Sequence, residues 1–313
     1  MSFRPTNKEE LAATLRAANE RRSQVGAPDL DAFNRILAHT PEDMTVTVEA
    51  GVTLAALQSA LAQRGQWIPI DPPKADRLTI ASLLSTNGSG PRRYGYGTIR
   101  DHLIGLQVAL ADGHLVRSGG KVVKNVAGYD LLKLFVGARD TLGLIVEATF
   151  KLLPLPDTEH FVGAMCRTPD DCRQVIDSVL ESSFTPTVLD CHNVGAGRDG
   201  AFVVLGFSGT YEEVDWQLSQ AAALGFRESA TLDHDRMFWD EASPAVHRLS
   251  VLPSRVTEAI RELGGVPFVA RAGNGVIYHR GGPPSPATLL PTKLLRRVKD
   301  IFDPNHILPG LLE

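Results

Sequence analysis

Between Ile70 and Pro156 glycine recurs in short polar loops, at Gly88, Gly90, Gly95, Gly97, Gly113, Gly119, Gly120, Gly128, Gly137 and Gly143, separated by apolar runs of strand length. Most loops need one glycine to turn. This density predicts that backbone comes close to something flat or phosphorylated, because a residue without Cβ lets main-chain amides reach such a ligand. Two sets of polar side chains stand among the glycines. Thr79 and Ser82 open a helix at Ile80-Ala81-Ser82-Leu83-Leu84, where hydroxyls and first-turn amides could meet an anion or could only cap the helix. Arg92, Arg93 and Arg100 lie among Tyr94, Tyr96 and Asp101. Guanidinium forks fit oxyanions, so a phosphate clamp or an acidic partner is one reading and a surface ion pair the other.

No histidine offers a clear general base. His102 is placed to cap or pair locally, and His192, His234, His247 and His279 lack the i, i+4 spacing of a helical metal site. Residues 195–200 fit GxGxxG but precede a strand rather than a helix, which makes them a hairpin loop. Gly206-Phe207-Ser208-Gly209 lacks the final glycine of a nucleophile elbow. Asn87-Gly88-Ser89 matches a glycosylation pattern that has no meaning in a cytoplasmic chain. Cys166, Cys172 and Cys191 form no CxxC pair and are odd in number, which fits a reducing compartment and argues against a Cys-ligated metal.

The 313 residues suffice for two cores, and a net charge of -4 gives no global reason to expect nucleic acid or an anionic membrane as partner. No apolar run approaches the roughly 18 residues needed to span a bilayer. The opening residues read as a charged amphipathic helix, not a secretory signal, so a cytoplasmic location is expected.

The elements that must position these residues follow from capping and periodicity. Thr6 with Glu9 predicts a capping box and a helix to about Arg22. Met44 to Glu49 alternates as a half-buried strand, Thr53 caps a helix to Arg64, and Trp67 to Ile70 is a short strand before Asp71-Pro72-Pro73. Leu103 to Leu110 and Leu115 to Arg117 are joined by an Asp-Gly hairpin turn. After Pro156 the order becomes strand (160–167), helix from Thr168, strands at 187–193 and 201–207, helix from Thr210, then strands at 246–252, 267–272 and 276–280. That order predicts an antiparallel sheet covered by helices on one side. A basic helix from Leu294 closes the chain.

Asp71-Pro72-Pro73, the turn Thr79 to Gly90, Gly90-Pro91-Arg92-Arg93, Tyr94 to Asp101, the run from Gly119 through Lys124-Asn125-Val126-Ala127-Gly128-Tyr129-Asp130 to Leu131, and Thr141-Leu142-Gly143-Leu144-Ile145 together resemble a known family. They are similar to the second half of the flavin domain in flavoproteins of the vanillyl-alcohol oxidase (PCMH) type, in particular the glycolate oxidase E subunit. The resemblance implies an α+β fold: a two-subdomain FAD-binding domain at 1–156, an antiparallel-sheet cap at 157–286, and a helix and tail at 287–313 that return to the flavin domain. It implies noncovalent FAD held by Asp71, Pro72, Thr79, Ile80, Ala81, Ser82, Thr86, Asn87, Arg92, Lys124, Gly128, Tyr129, Gly143 and Ile145. It implies a small 2-hydroxy acid as substrate, with a catalytic flavoprotein subunit and an iron-sulfur subunit as partners, the complex carrying the chain to the periphery of the inner membrane.

Departures from the family pattern favour an incomplete site. The Gly/Ser-rich loop that holds the pyrophosphate is missing between Arg22 and Leu30, Ala81 and Ser82 replace a Gly-Gly pair, and Asp140 replaces a glycine. Asp140 would repel a phosphate unless neutralised or paired with Arg139 or Lys133. The expected function is an FAD-binding subunit of a glycolate oxidase complex. The alternatives are a degenerate flavoprotein fold serving assembly, and a stand-alone dehydrogenase whose catalytic residues the chain does not reveal.

Overall fold

The computed structural model describes residues 3–120, 132–195, 200–240, 242, 244–282 and 292–311. The Lys124-to-Asp130 run lies outside them. Helix α1 (Lys8–Arg21) is capped by Asn7, whose Oδ1 accepts from Glu10 N at 2.8 Å, while Thr6 N donates to Glu10 Oε2 at 2.8 Å. The cap therefore forms one residue later than the Thr6–Glu9 spacing predicts, because Asn7 takes up the extended backbone a cap requires. Leu11 and Leu15, one turn apart, are its buried stripe.

Strands β1 (Ile36–Thr40) and β2 (Thr45–Glu49) precede α2 (Leu54–Ala62), β3 (Gln66–Trp67), α3 (Ile80–Thr86), α4 (Arg93–Tyr96) and α5 (Ile99–His102). There follow β4 (Leu103–Ala109), β5 (Leu115–Gly119), α6 (Leu132–Phe135), β6 (Leu144–Lys151) and β7 (Leu153–Pro154). A five-stranded antiparallel sheet runs β1-β2-β6-β4-β5. Val46, Val48, Leu106, Val108, Val146 and Phe150 face a core shared with leucines of α2 and α3. The other face carries a polar row, Glu49–Glu147–Gln107–Arg117, in register across four strands. Lys8 covers it, with Nζ 3.1 Å from Gln107 Oε1.

Strand β8 (Thr158–Cys166), α7 (Pro169–Leu180), β9 (Val188–His192), β10 (Ala201–Gly209), α8 (Tyr211–Ala223), β11 (Glu228–Ser229) and α9 (Asp233–Asp240) begin a second unit. It is completed by β12 (Val246–Ser250), α10 (Val256–Glu262), β13 (Phe268–Arg271) and β14 (Val276–Arg280). Its seven-stranded antiparallel sheet runs β11-β8-β10-β9-β13-β14-β12. Alternation divides the faces. Leu189, Cys191, Val203, Leu205 and Ala270 pack with α7, α8 and α10, and Cys166 and Cys172 join them. Asp190, His192 and Arg271 point the other way, where α9 covers them. β9 and β10 pair antiparallel, and residues 196–199 of the GxGxxG stretch between them lie outside the described residues.

Helix α11 (Thr292–Phe302) and the tail return to the first core, where Ile307 and Leu308 are buried. Val25 N donates to Ile307 O at 2.8 Å. Between Arg22 and Phe33 the described chain makes one isolated parallel bridge, Phe3–Pro28.

Candidate functional site

Helix α3 and the strands around it assemble one wall. Thr79 caps α3, its Oγ1 accepting from Ser82 N at 3.2 Å. Ile80 N donates to Val52 O at 2.9 Å, Ala81 N to Ala50 O at 2.7 Å, and Ala50 N to Val146 O at 3.0 Å. This chain of backbone bonds joins the start of α3 to β6 next to the buried Ile145. It also engages the first-turn amides of α3 inside the protein. Of the two readings of Thr79 and Ser82, the cap is the one the structure contains. Ser82 and Thr86 face outward, Thr86 Oγ1 bonding back to Ser82 O at 2.7 Å. A Cβ on Gly143 would lie 2.5 Å from Val108 Cγ1, so this glycine seats β6 against β4.

Asn87 ends α3 in the left-handed region, φ 50°, and its buried Oδ1 has no hydrogen-bond partner among the described residues. Gly137 N bonds Leu84 O at 2.8 Å and Arg139 N bonds Ser85 O at 2.9 Å, which lays the 137–140 loop beside Asn87. Arg139 and Asp140 are also left-handed there, at φ 51° and 62°. Three non-glycine residues in the left-handed region thus stand at one place. Burial pushes the Asp140 carboxyl up, and a hydrogen bond with Ser85 partly offsets this.

The Asp71–Arg92 pair stands elsewhere, at the junction of the two sheets. Asp71 accepts from Arg92 N at 3.1 Å and from Arg92 Nη1 at 2.9 Å. The other side of the guanidinium grips Glu159 on β8, with Nε 2.9 Å from Oε1. Arg92 therefore ties the two units together and is not an open phosphate clamp. Burial raises Asp71 to about 6, against the pull of Arg92 and Arg271. Two glycines serve this junction. A Cβ on Gly90 would fall 1.9 Å from Asp71 O, and one on Gly95 2.7 Å from Thr187 Cα. At these positions the glycines admit protein backbone where a flat ligand was expected. A cleft of about 380 Å³ opens here between Asp71, Pro72, Arg92, Asp235 and Trp239.

Behind the cleft lies a buried charge network that the histidine spacing alone did not suggest. Arg271 grips Asp190 with Nη1 and Asp235 with Nη2. His234 Nε2 is 3.0 Å from Asp190 Oδ2 and its Nδ1 3.2 Å from Thr231 O. Both partners present oxygen acceptors to the ring. His192 stacks on it at 4.2 Å, and burial followed by the His234 charge drives His192 down to about 3. The period of two along β9, which puts Asp190 and His192 on one face opposite Leu189 and Cys191, is the signal that could have found the network.

Lys124, Gly128 and Tyr129 lie outside the described residues, so the wall built by α3, β6 and the 137–140 loop is the part that can be judged. For a flavin dinucleotide it fits on one side. The unpaired Asn87 Oδ1 suits a ring N–H, whereas the amides of Ile80, Ala81 and Ser82 have no donor left for a diphosphate. Among the described residues no group of three or more His, Cys, Asp or Glu is arranged to hold a metal, and no helix is long and apolar enough to cross a membrane.

Residues 29–119 match the FAD binding domain family. The chain is 38% identical over 158 residues to glycolate oxidase subunit GlcD of Bacillus subtilis, covering 50% of this chain and 34% of that protein. It is 35% identical over 129 residues to glycolate oxidase subunit GlcE of Escherichia coli, covering 41% and 37%. To a probable mitochondrial D-lactate dehydrogenase of Danio rerio it is 41% identical over 143 residues, covering 45% and 28%. The chain thus spans about a third of the length of the curated relatives it matches. An alkyldihydroxyacetonephosphate synthase structure shares the fold, with a TM-score of 0.73 at 15% identity over 97% of this chain and 76% of that one. Residues 29–119 thus match a FAD binding domain of the PCMH type, which supports FAD as the cofactor, and the chain is similar over part of its length to glycolate oxidase subunits and D-lactate dehydrogenases.

Proposed function

We propose that the chain is an FAD-binding subunit of a complex that oxidises glycolate or another small 2-hydroxy acid, with a flavin part at 1–156, a cap at 157–286 and a closing helix and tail at 287–313. A catalytic flavoprotein and an iron-sulfur subunit complete the assembly. Bound FAD supplies the acceptor for two electrons from a C–H bond next to a hydroxyl. The chain's own part is to hold it: Asn87 offers a buried acceptor, and Gly143 and Ile145 seat the strand that closes the wall behind α3.

The observation that carries the accessory role is the pairing of cations on the cap face. Arg92 and Arg271 are each gripped by two carboxylates, and Arg280 donates to Phe238 O and Pro244 O. None of the three is left to recognise a substrate carboxylate, which supports a substrate site on the partner. Purification of the chain alone tests this. The expected product carries flavin absorbance and does not turn over glycolate or D-lactate with an artificial acceptor; turnover by the isolated chain would overturn the accessory role.

The second reading, a flavoprotein fold kept for assembly, is favoured by the engaged amides of α3 and by the single isolated bridge that the described chain makes between Arg22 and Phe33. A colourless chain that ignores added FAD would decide for it.

A further inference from the structure

One short stretch of chain belongs to both units. It leaves the flavin wall at Asn87 and is seated in the second unit from Arg92 onward. The Arg92 guanidinium reaches Glu159 on β8, whose Oε1 also accepts from Ser208 Oγ on β10 at 2.8 Å. Tyr94 packs against the hydrophobic core of the second unit, where a Cβ on Gly273 would lie 2.1 Å from its ring. Gly95 N donates to Thr187 O at 3.0 Å, just before β9. Between Arg92 and Gly95 the first unit thus meets β8, the approach to β9 and the turn after β13.

The link between Asn87 and this seat has little slack. Gly88 N is tied back to Leu83 O at 3.2 Å, and Ser89, Gly90 and Pro91 are buried. A Cβ on Gly90 would fall 1.9 Å from Asp71 O, Asp71 Oδ1 accepts from Arg92 N at 3.1 Å, and Arg93 N donates to Gly90 O at 3.2 Å. Pro91 adds a fixed φ. A packed run of this kind does not stretch continuously, so a shift at Arg92 or Tyr94 is passed on to Asn87. No described residue bonds the Asn87 Oδ1, so its direction follows the backbone.

We propose that residues 92–95 act as a positioning element: the seating of Arg92 and Tyr94 in the second unit fixes the Asn87 side chain in the orientation that receives FAD. This coupling rests on the flavin-binding role proposed above. It is reciprocal, since whatever the seat contributes to FAD binding, bound FAD returns to the seat. A purely structural seat would change stability when damaged and leave FAD affinity alone.

Fluorescence titration with FAD and hydrogen exchange, both on the full chain, test the coupling. FAD is expected to slow exchange in peptides that span Thr187 and Gly273. Tyr94→Leu and Glu159→Gln are each expected to weaken FAD about fivefold, the lower end of ordinary coupling, and to remove that protection. The Glu159 side chain is 21% exposed and Arg92 keeps Asp71, so Glu159→Gln is expected to fold even if Tyr94→Leu does not. Variants that bind FAD as tightly as the wild type, or protection that survives in them, would overturn the coupling and leave flavin binding standing. A wild type that takes up no FAD would overturn both, a result told apart by the missing flavin signal in the unmodified chain.

Discussion

Replacing Arg271 by Met tests whether the buried network organises the cap. Arg271 is 2% exposed and is the shared cation of Asp190 and Asp235. Without it the two carboxylates are not equally stranded. Asp190 keeps the His234 ring, Nε2 at 3.0 Å, while among the described residues Asp235 keeps only the neutral Trp239 Nε1, at 3.1 Å. One uncompensated buried charge remains, not two, and breaking such a pair costs about 3–5 kcal/mol. At ~2–4 °C per kcal/mol for a domain of this size, Tm should fall by ~6–20 °C in a thermal melt near neutral pH.

The deficit should also depend on pH, in a known direction. In the wild type Asp190 is held below its ordinary range: burial pushes it up, and Arg271 and His234 outweigh that. Its contribution is present above the unfolded-state pKa and is lost as pH falls through the folded one. In the variant, burial without the cation raises the carboxylates, so acid neutralises them and the gap to the wild type narrows as pH falls. Adding Asp235→Asn to the variant should recover ~1–2 kcal/mol by removing the stranded charge. A loss under ~1 kcal/mol, or a deficit constant between mildly acidic and neutral pH, would refute the reasoning.

Asn87→Gly keeps the left-handed backbone and deletes the unpaired acceptor, so stability should hold within ~1 kcal/mol while FAD affinity, read by fluorescence titration, falls about five- to tenfold. Asp140 is held above its ordinary range by burial, so its ionisation penalty grows as pH rises from the unfolded value through the folded one. Asp140→Asn should therefore raise Tm at alkaline pH and leave it unchanged at strongly acidic pH. Lys299→Met strands the fully buried Asp303 and should cost ~3–5 kcal/mol, with limited proteolysis now cutting among residues 303–311.

Local chemistry was readable where neighbours in sequence decide the outcome. The alternation of Thr45 to Glu49, the Thr53 and Thr168 caps and the Asp-Gly turn at 112–113 all depend on contacts a few residues apart. The α+β character and the antiparallel cap followed from the order of such elements. Even the shift of the first cap from Thr6 to Asn7 is a choice between adjacent residues with similar side-chain acceptors.

The site was less readable because its defining pairs are distant in sequence. Arg92 stands beside two tyrosines and another arginine, and nothing in that neighbourhood says whether it awaits a phosphate or a carboxylate. Its answer is Glu159, 67 residues away, met only once the two sheets are set against each other. The same holds for Arg271, 81 residues from Asp190 and 36 from Asp235. A missing partner is harder still to read, since the Asn87 acceptor shows as unpaired only once its neighbours among the described residues have been placed. Motif spacing can thus nominate residues that could hold a cofactor, whereas the three-dimensional ledger of satisfied donors and acceptors decides which of them are still available to do so.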